Sequence, residues 1–210
     1  MRTAVLLSLS VAGLGMAAST LVQSSTADAA PQINRVIVEL ESTRGQRASG
    51  SLSLSPDNQG LHVQGTIRGL KANSEHGFHV HESGDCSAPD ASSAGGHFNP
   101  AGAEHGRHGR GAHHAGDMPN LVANGQGEAV IDVHLTGLTL GDGGANDVLE
   151  RAVIVHADPD DYASQPAGNA GARIACGVIT RPEPVQLAPV EEAEAPAESG
   201  EGSDAEASAD

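Results

Sequence analysis

Apolar residues recur at every second position in short runs along the middle of this chain. QINRVIVELES, GSLSLS, LHVQGTIRGL, HGFHVHE, EAVIDVHLTGL, RAVIVHA and RIACGVIT all have this form. A period of two places alternate side chains on opposite faces of an extended backbone, so these runs predict half-buried strands. Gly, Asn, Asp and Pro punctuate them, and no segment carries the pattern of a long amphipathic helix. Residues 123–128, ANGQGE, are a tight-turn signal between two such runs. The pattern predicts an all-β sandwich or barrel. Two long Gly-rich segments, 83–120 and 158–172, lack strand patterning, and the polar chemistry gathers in them. Loops of that length in a compact domain are usually functional or held by something.

The two ends of the chain differ from its middle. Residues 1–30 open with Arg2, run apolar through AVLLSLSVAGLGMAA and reach Ala27-Asp28-Ala29. A charged start, a short apolar stretch and an A-x-A site predict a removed secretory signal rather than a membrane span, for which the run is too short. The alternative is a retained span. Residues 182–210 are Pro, Ala, Glu and Ser with nine acids and no base. Such a segment cannot bury enough apolar surface to offset its ordering entropy, and it is expected to be a disordered acidic tail. Residues 31–181 then form one domain. No further segment is apolar enough to span a membrane.

Without the ends, the formal charge falls from −16 to about −7. An acidic domain argues against nucleic acid as a partner. A signal peptide places the chain in the periplasm or outside the cell, where the two cysteines, Cys86 and Cys176, are expected to pair. Two thiolates on a metal are the alternative, disfavoured because the other soft ligands here are histidines.

Eleven histidines is a large number for this length. His79 and His81 stand at i and i+2 on a strand, so both rings project from one face. His156 ends another apolar strand, where an imidazole left unbonded costs free energy. GGHFNPAGAEHGRHGRGAHHAGDMPN adds His97, His105 and His114, with Asp117 three residues on. Three imidazoles and a carboxylate make a closed tetrahedral zinc set, and four imidazole nitrogens suit tetragonal copper. Seven ligands for two such sites imply a shared one. His113 and His108 are expected to be solvated loop residues. His62 and His134 on strands, and His76 just before one, are expected to be structural or surface residues.

GFHVHE, GDCSAPD, AGGHFNP, HAGDMPN, VIVHA, DDY and GNAGARIACGVI follow one another along the chain. In this order they resemble the copper/zinc superoxide dismutases of the secreted bacterial type, over about residues 36–180. The resemblance implies a Greek-key β-sandwich or barrel, immunoglobulin-like, of about eight antiparallel strands with two long functional loops. It implies copper on His79, His81, His97 and His156, and zinc on His97, His105, His114 and Asp117, with His97 bridging. Asp160 would link a copper histidine, His79, to a zinc histidine, His105; Asp161 is its neighbour and rival. Cys86 and Cys176 match the family's disulfide, and a homodimer is a possible assembly.

The implied reaction is disproportionation of superoxide to oxygen and hydrogen peroxide, with His97 and Arg173 as catalytic groups. Arg173 corresponds to the family's arginine in the substrate channel, where a fixed positive fork suits a small anion. The chain departs from its relatives in one respect. The loop ADPDDYASQPAGNAGAR has no lysine, and Lys71 is the only lysine in the chain. Long-range steering is therefore expected to be weak, or to come from Arg107 or Arg110. The rival readings are a non-catalytic copper/zinc-binding module on the same fold and a disulfide-stapled scaffold.

Overall fold

A computed structural model describes residues 32–182. The predicted signal segment lies outside the described residues, as does the predicted tail apart from Pro182.

The alternating runs do form strands. They are β1 (Val36–Ser42), β2 (Ser49–Pro56), β3 (Gly60–Arg68), β4 (Glu75–His76), β5 (Phe78–His81), β6 (Leu121–Val122), β7 (Ala129–Thr136), β8 (Ala152–His156) and β9 (Arg173–Val178). Seven of them make one curled antiparallel sheet in the order β5-β8-β9-β1-β2-β3-β7, and β4 pairs with β6. β1 serves both halves: Val36 to Leu40 pair with β2, while Glu41 and Ser42 pair with β9. The chain meanders through β1, β2 and β3, crosses to β5, returns to β7 beside β3, and crosses again to β8. These crossovers are of the Greek-key kind.

One predicted strand divides in two. HGFHVHE breaks at Gly77, where the backbone changes partner from β6 to β8. Gly77 N donates to Asp158 O, and its own carbonyl accepts from His156 N, both at 2.8 Å. A Cβ at Gly77 would stand 2.6 Å from that of Ala170, so only glycine allows the approach. His76, expected just before a strand, is therefore on β4. Leu121–Val122 was too short a run to read as a strand in the sequence. A third long connection, 137–151, joins β7 to β8. Its Asp147 carboxylate accepts from the amides of Gly141, Gly143 and Leu149, which folds it on itself.

The core follows from the alternation. Val36, Val38, Leu40, Leu52, Leu54, Leu61, Val63, Ile67, Ile131 and Leu135 point inward, while their strand neighbours face solvent. Truncating one such Leu to Ala costs about 2–5 kcal/mol. β5 and β8 differ: every residue in them is buried. Phe78 and Val80 of β5 join the main core, which leaves His79 and His81 on the opposite face. The long loop 82–120 covers that face. It runs beside β5 like a further strand, with Val80 N donating to Gly116 O and Phe98 N to Val80 O.

Candidate metal centre

The loops bring nine buried polar residues together: His76, His79, His81, His97, His105, His114, Asp117, His156 and Asp160. Burying so many imidazoles and carboxylates is costly unless each polar atom has a partner. One nitrogen of each of four rings is held as follows. His79 Nε2 donates to Asp160 Oδ2 at 2.7 Å and His81 Nδ1 to Gly95 O at 2.9 Å. His156 Nδ1 donates to Gly171 O at 3.2 Å, and His97 Nδ1 lies 2.9 Å from Asp117 Oδ1.

The second nitrogens of those same rings are different. Among the described residues, His79 Nδ1, His81 Nε2, His97 Nε2 and His156 Nε2 are buried without a hydrogen-bond partner. The ring centroids lie between 3.9 and 6.3 Å apart, and the four ligand atoms fall within 4.8 Å of one another. Four orphaned lone pairs facing one point are what a cation requires, and four imidazoles suit copper. Burial also keeps these rings neutral. Desolvation lowers His79 to about 4, His156 to about 3 and His81 to about 2.

A second set lies on the other side of His97. Asp117 divides its two oxygens between tasks. Oδ2 accepts from the amides of Gly106 and His114, at 3.1 and 2.8 Å, which fixes the carboxylate. Oδ1 faces three Nδ1 atoms: His97 at 2.9 Å, His105 at 3.1 Å and His114 at 3.3 Å. His97 Nδ1 and His114 Nδ1 are 3.4 Å apart. Ligands about 2.0–2.1 Å from a tetrahedral ion stand about 3.3 Å from each other. These four separations, 2.9 to 3.4 Å, are close to that spacing, and all four atoms lie within 4.8 Å of one another, so the set fits zinc. Burial alone would raise Asp117, but hydrogen bonds from His97, Gly106 and His114 outweigh it and keep the carboxyl ionised. His97 thus turns Nδ1 to one set and Nε2 to the other.

Asp160, fully buried at its side chain, joins the two sets. Its Oδ2 faces His79, and its Oδ1 accepts from His105 Nε2 at 2.9 Å. Desolvation would raise this carboxyl too, but the His79, Tyr162 and His105 hydrogen bonds lower it. Asp161 faces away, bonded to Ala163, Ser164 and Asn169. Gly168 makes room: a Cβ there would fall 1.8 Å from Asp160 Oδ1 and 2.7 Å from His105 Nε2, and its φ of +64° also favours glycine.

Cys86 and Cys176 form a disulfide that spans 90 residues and ties the loop to β9. On the same strand, Arg173 Nη1 donates to Ala91 O and Nη2 to Gly95 O, both at 2.6 Å. Its guanidinium is therefore fixed beside His81, whose Nδ1 shares the Gly95 carbonyl.

Several supporting residues had no sequence signal. Asn120 exchanges two hydrogen bonds with the Asp160 backbone, each of 3.0 Å. Gln165 does the same for the backbone of His105, at 2.9 Å each. Polar side chains in Gly-rich loops look alike in a sequence, and only the fold makes these partners. His76 Nδ1 donates to His156 O at 2.8 Å, so its role is structural. His113 and His108 are not simply solvated. His113 Nδ1 donates to His114 O at 2.8 Å, and His108 Nε2 accepts from Thr136 N at 3.3 Å.

Comparison with known proteins agrees with this geometry. Residues 48–179 match the sequence profile of copper/zinc superoxide dismutase (SODC). The chain is 43% identical over 144 residues to Superoxide dismutase [Cu-Zn] 2 of Aquifex aeolicus, covering 67% of this chain and 84% of that protein. It is 39% identical over 126 residues to Superoxide dismutase-like protein YojM of Bacillus subtilis, covering 59% and 64%. A crystal structure of a double mutant of a SOD-like protein from Bacillus subtilis superposes with a TM-score of 0.64 at 36% identity, over 69% of this chain and 97% of that one. The clock protein EA4 superposes with a TM-score of 0.62 at 37% identity, over 69% and 92%. The family and the two histidine clusters together support copper and zinc as cofactors. On fold, sequence and cluster chemistry alike, the chain belongs to the copper/zinc superoxide dismutase family.

Proposed function

We propose that this chain disproportionates superoxide, holding copper on His79, His81, His97 and His156 and zinc on His97, His105, His114 and Asp117. Bound copper supplies a one-electron couple that oxidises one superoxide to oxygen and reduces a second, whereas zinc has no accessible second oxidation state. With the metals bound, His97 would take up one proton at Nε2 and give it to the reduced product, the second proton of hydrogen peroxide coming from solvent. Its Nδ1 stays with the Asp117 set, which keeps the ring in place through the transfer. Asp160 orients His79 and His105 together, so neither ring can turn independently of the other. Arg173 receives the anion.

The observation that carries this reading is Arg173. Its fork is held by two carbonyls, and one of them, Gly95 O, also holds Nδ1 of His81, the ring whose Nε2 is without a partner. A module that only stored metal would have no use for a fixed cation there. The alternative, a non-catalytic secreted copper/zinc-binding module, draws support from the relatives named superoxide dismutase-like. The test is dismutation by the copper- and zinc-loaded protein against a chelated control. Fast turnover that depends on metal supports the enzyme. A folded protein with both metals and no turnover leaves the binding module.

We further propose a periplasmic or secreted setting, with residues 31–181 as the working domain. The signal-like segment 1–30 and the disulfide support it. Among the described residues no helix is long and apolar enough to cross a membrane.

A further inference from the structure

His62 and His134 remain outside the two metal sets, and they face each other. They are directly opposed in the β3–β7 ladder. Leu61 and Val63, like Leu135, point into the core, so His62 and His134 stand on the outer face of the sheet. Asp132 stands two residues before His134 and shares that face. The two imidazoles stack with centroids 4.1 Å apart and planes within 11°. Each ring has its own carboxylate. His62 Nε2 lies 2.6 Å from Asp132 Oδ1, and His134 Nδ1 lies 2.5 Å from Asp57 Oδ2.

We propose that His62, His134 and Asp132 form a third, surface site for a divalent transition-metal ion of the kind imidazole prefers, zinc or copper(II). One ligand atom from each of the three lies within 4.8 Å of the other two. Closing onto one ion needs ligand atoms about 3.0–3.4 Å apart. Small side-chain rotations supply the difference, because Asp132 and His134 are 65% and 44% exposed and only their contacts with His62 and Asp57 hold them. The backbone does not have to move, since adjacent antiparallel strands already fix the three Cα positions. Asp132 is ionised, its carboxyl lowered chiefly by the hydrogen bond from His62. Asp57 supplies a further carboxylate at the rim. Two imidazoles and a carboxylate select zinc or copper(II) over calcium or magnesium, which take oxygen ligands. Exposure leaves coordination positions for water, so the ion is held more weakly than in the buried sets and exchanges with solvent.

The test uses the full chain with its two buried sites already loaded. Zinc is added under equilibrium dialysis and bound metal is counted per chain. The proposal expects a third equivalent, and expects the double substitution His62→Gln with His134→Gln to weaken it at least tenfold while two equivalents stay bound. Copper(II) added to the loaded protein should give a new tetragonal electron paramagnetic resonance signal with nitrogen couplings, absent from the double variant. Asp132→Asn, which leaves both rings in place, should weaken the third equivalent by a smaller factor. The proposal fails if no third equivalent binds. It also fails if the double variant, retaining its two buried ions, binds the third as tightly as the parent.

Discussion

Arg173 and His81 donate to the same carbonyl, that of Gly95, at 2.6 and 2.9 Å. One backbone oxygen therefore sets the distance between the charged fork and an imidazole of the proposed copper set. The loop carrying Gly95 is in turn tied to the strand of Arg173 by the disulfide.

Replacing Arg173 by Ala should lower kcat/KM for superoxide by about 10- to 100-fold, the loss expected for one charge-assisted contact of about 1.5–3 kcal/mol. Arg173→Lys should fall between, because it keeps the charge but cannot bond both carbonyls. Metal content should not change. Pulse radiolysis with a parallel metal analysis checks both statements.

Asp160→Asn should loosen both sites. Asn offers one oxygen to two donors, His79 Nε2 and His105 Nε2, so neither ring is held as firmly as before. Affinity for both ions should drop about 10- to 100-fold, as is usual when the partner of a ligating histidine is lost. Competition against a chelator of known affinity measures it. Gly168→Ala should act on the same pair of rings, by pushing a methyl group into Asp160.

Reducing Cys86–Cys176, or replacing both by Ser, should destabilise the fold. A closed loop of 90 residues contributes about 4–5 kcal/mol by the chain-entropy relation. Denaturant midpoints of the metal-loaded protein with and without the bridge read this out. Activity should fall as well, because the loop that presents Ala91 and Gly95 to Arg173 is freed at one end.

Acid should destabilise the metal-free protein in two stages. His79, His81 and His156 are lowered by burial, so below their ordinary value of about 6.5 the unfolded chain binds protons that the folded chain refuses. Stability is full above that pH. It then falls as pH drops, at about 1.4 kcal/mol per pH unit for each ring still neutral, until the rings protonate at about 4 and below. Asp117 and Asp160, also lowered, add a further loss beneath their ordinary value of 3.8. Unfolding midpoints between pH 7 and 4 in chelator test the first stage; a flat profile would reject it.

The rate should depend only weakly on ionic strength. The loop 157–172 carries no lysine and the domain is acidic, so little long-range attraction is available for salt to screen. Arg107 lies over the Tyr162 ring at 5.1 Å, which ties up one of the two arginines of the other loop. Rates at about 10 and 200 mM salt, where the Debye length is about 30 and 7 Å, should agree within about twofold. A steep fall would place steering on Arg107 or Arg110 after all.

Much of this was legible beforehand. The period-two runs located the main strands because alternation is a local property: each residue's face follows from its neighbour's. The split of HGFHVHE at Gly77 was not legible, since the partner change depends on Asp158, Ala170 and His156, all far along the chain. Likewise His79 and His81 could be placed on one face from their spacing, but the partnerless state of their inner nitrogens could not.

What the sequence determined by itself was the list of parts: strands, two long loops, ligand-type residues with their spacings, and the two cysteines. What only the tertiary structure decided was which atom of each residue meets which. The division of Asp117 into a fixed oxygen and a facing one is of this kind. So are the choice of Asp160 over Asp161, the carboxylate-flanked stack of His62 on His134, and the sharing of Gly95 by Arg173 and His81. The physical reason is that hydrogen bonding and coordination act over about 3 Å and depend on direction. Residues as distant in sequence as His79 and Asp160, 81 positions apart, reach that range only after the sheet has curled and the loops have closed over it.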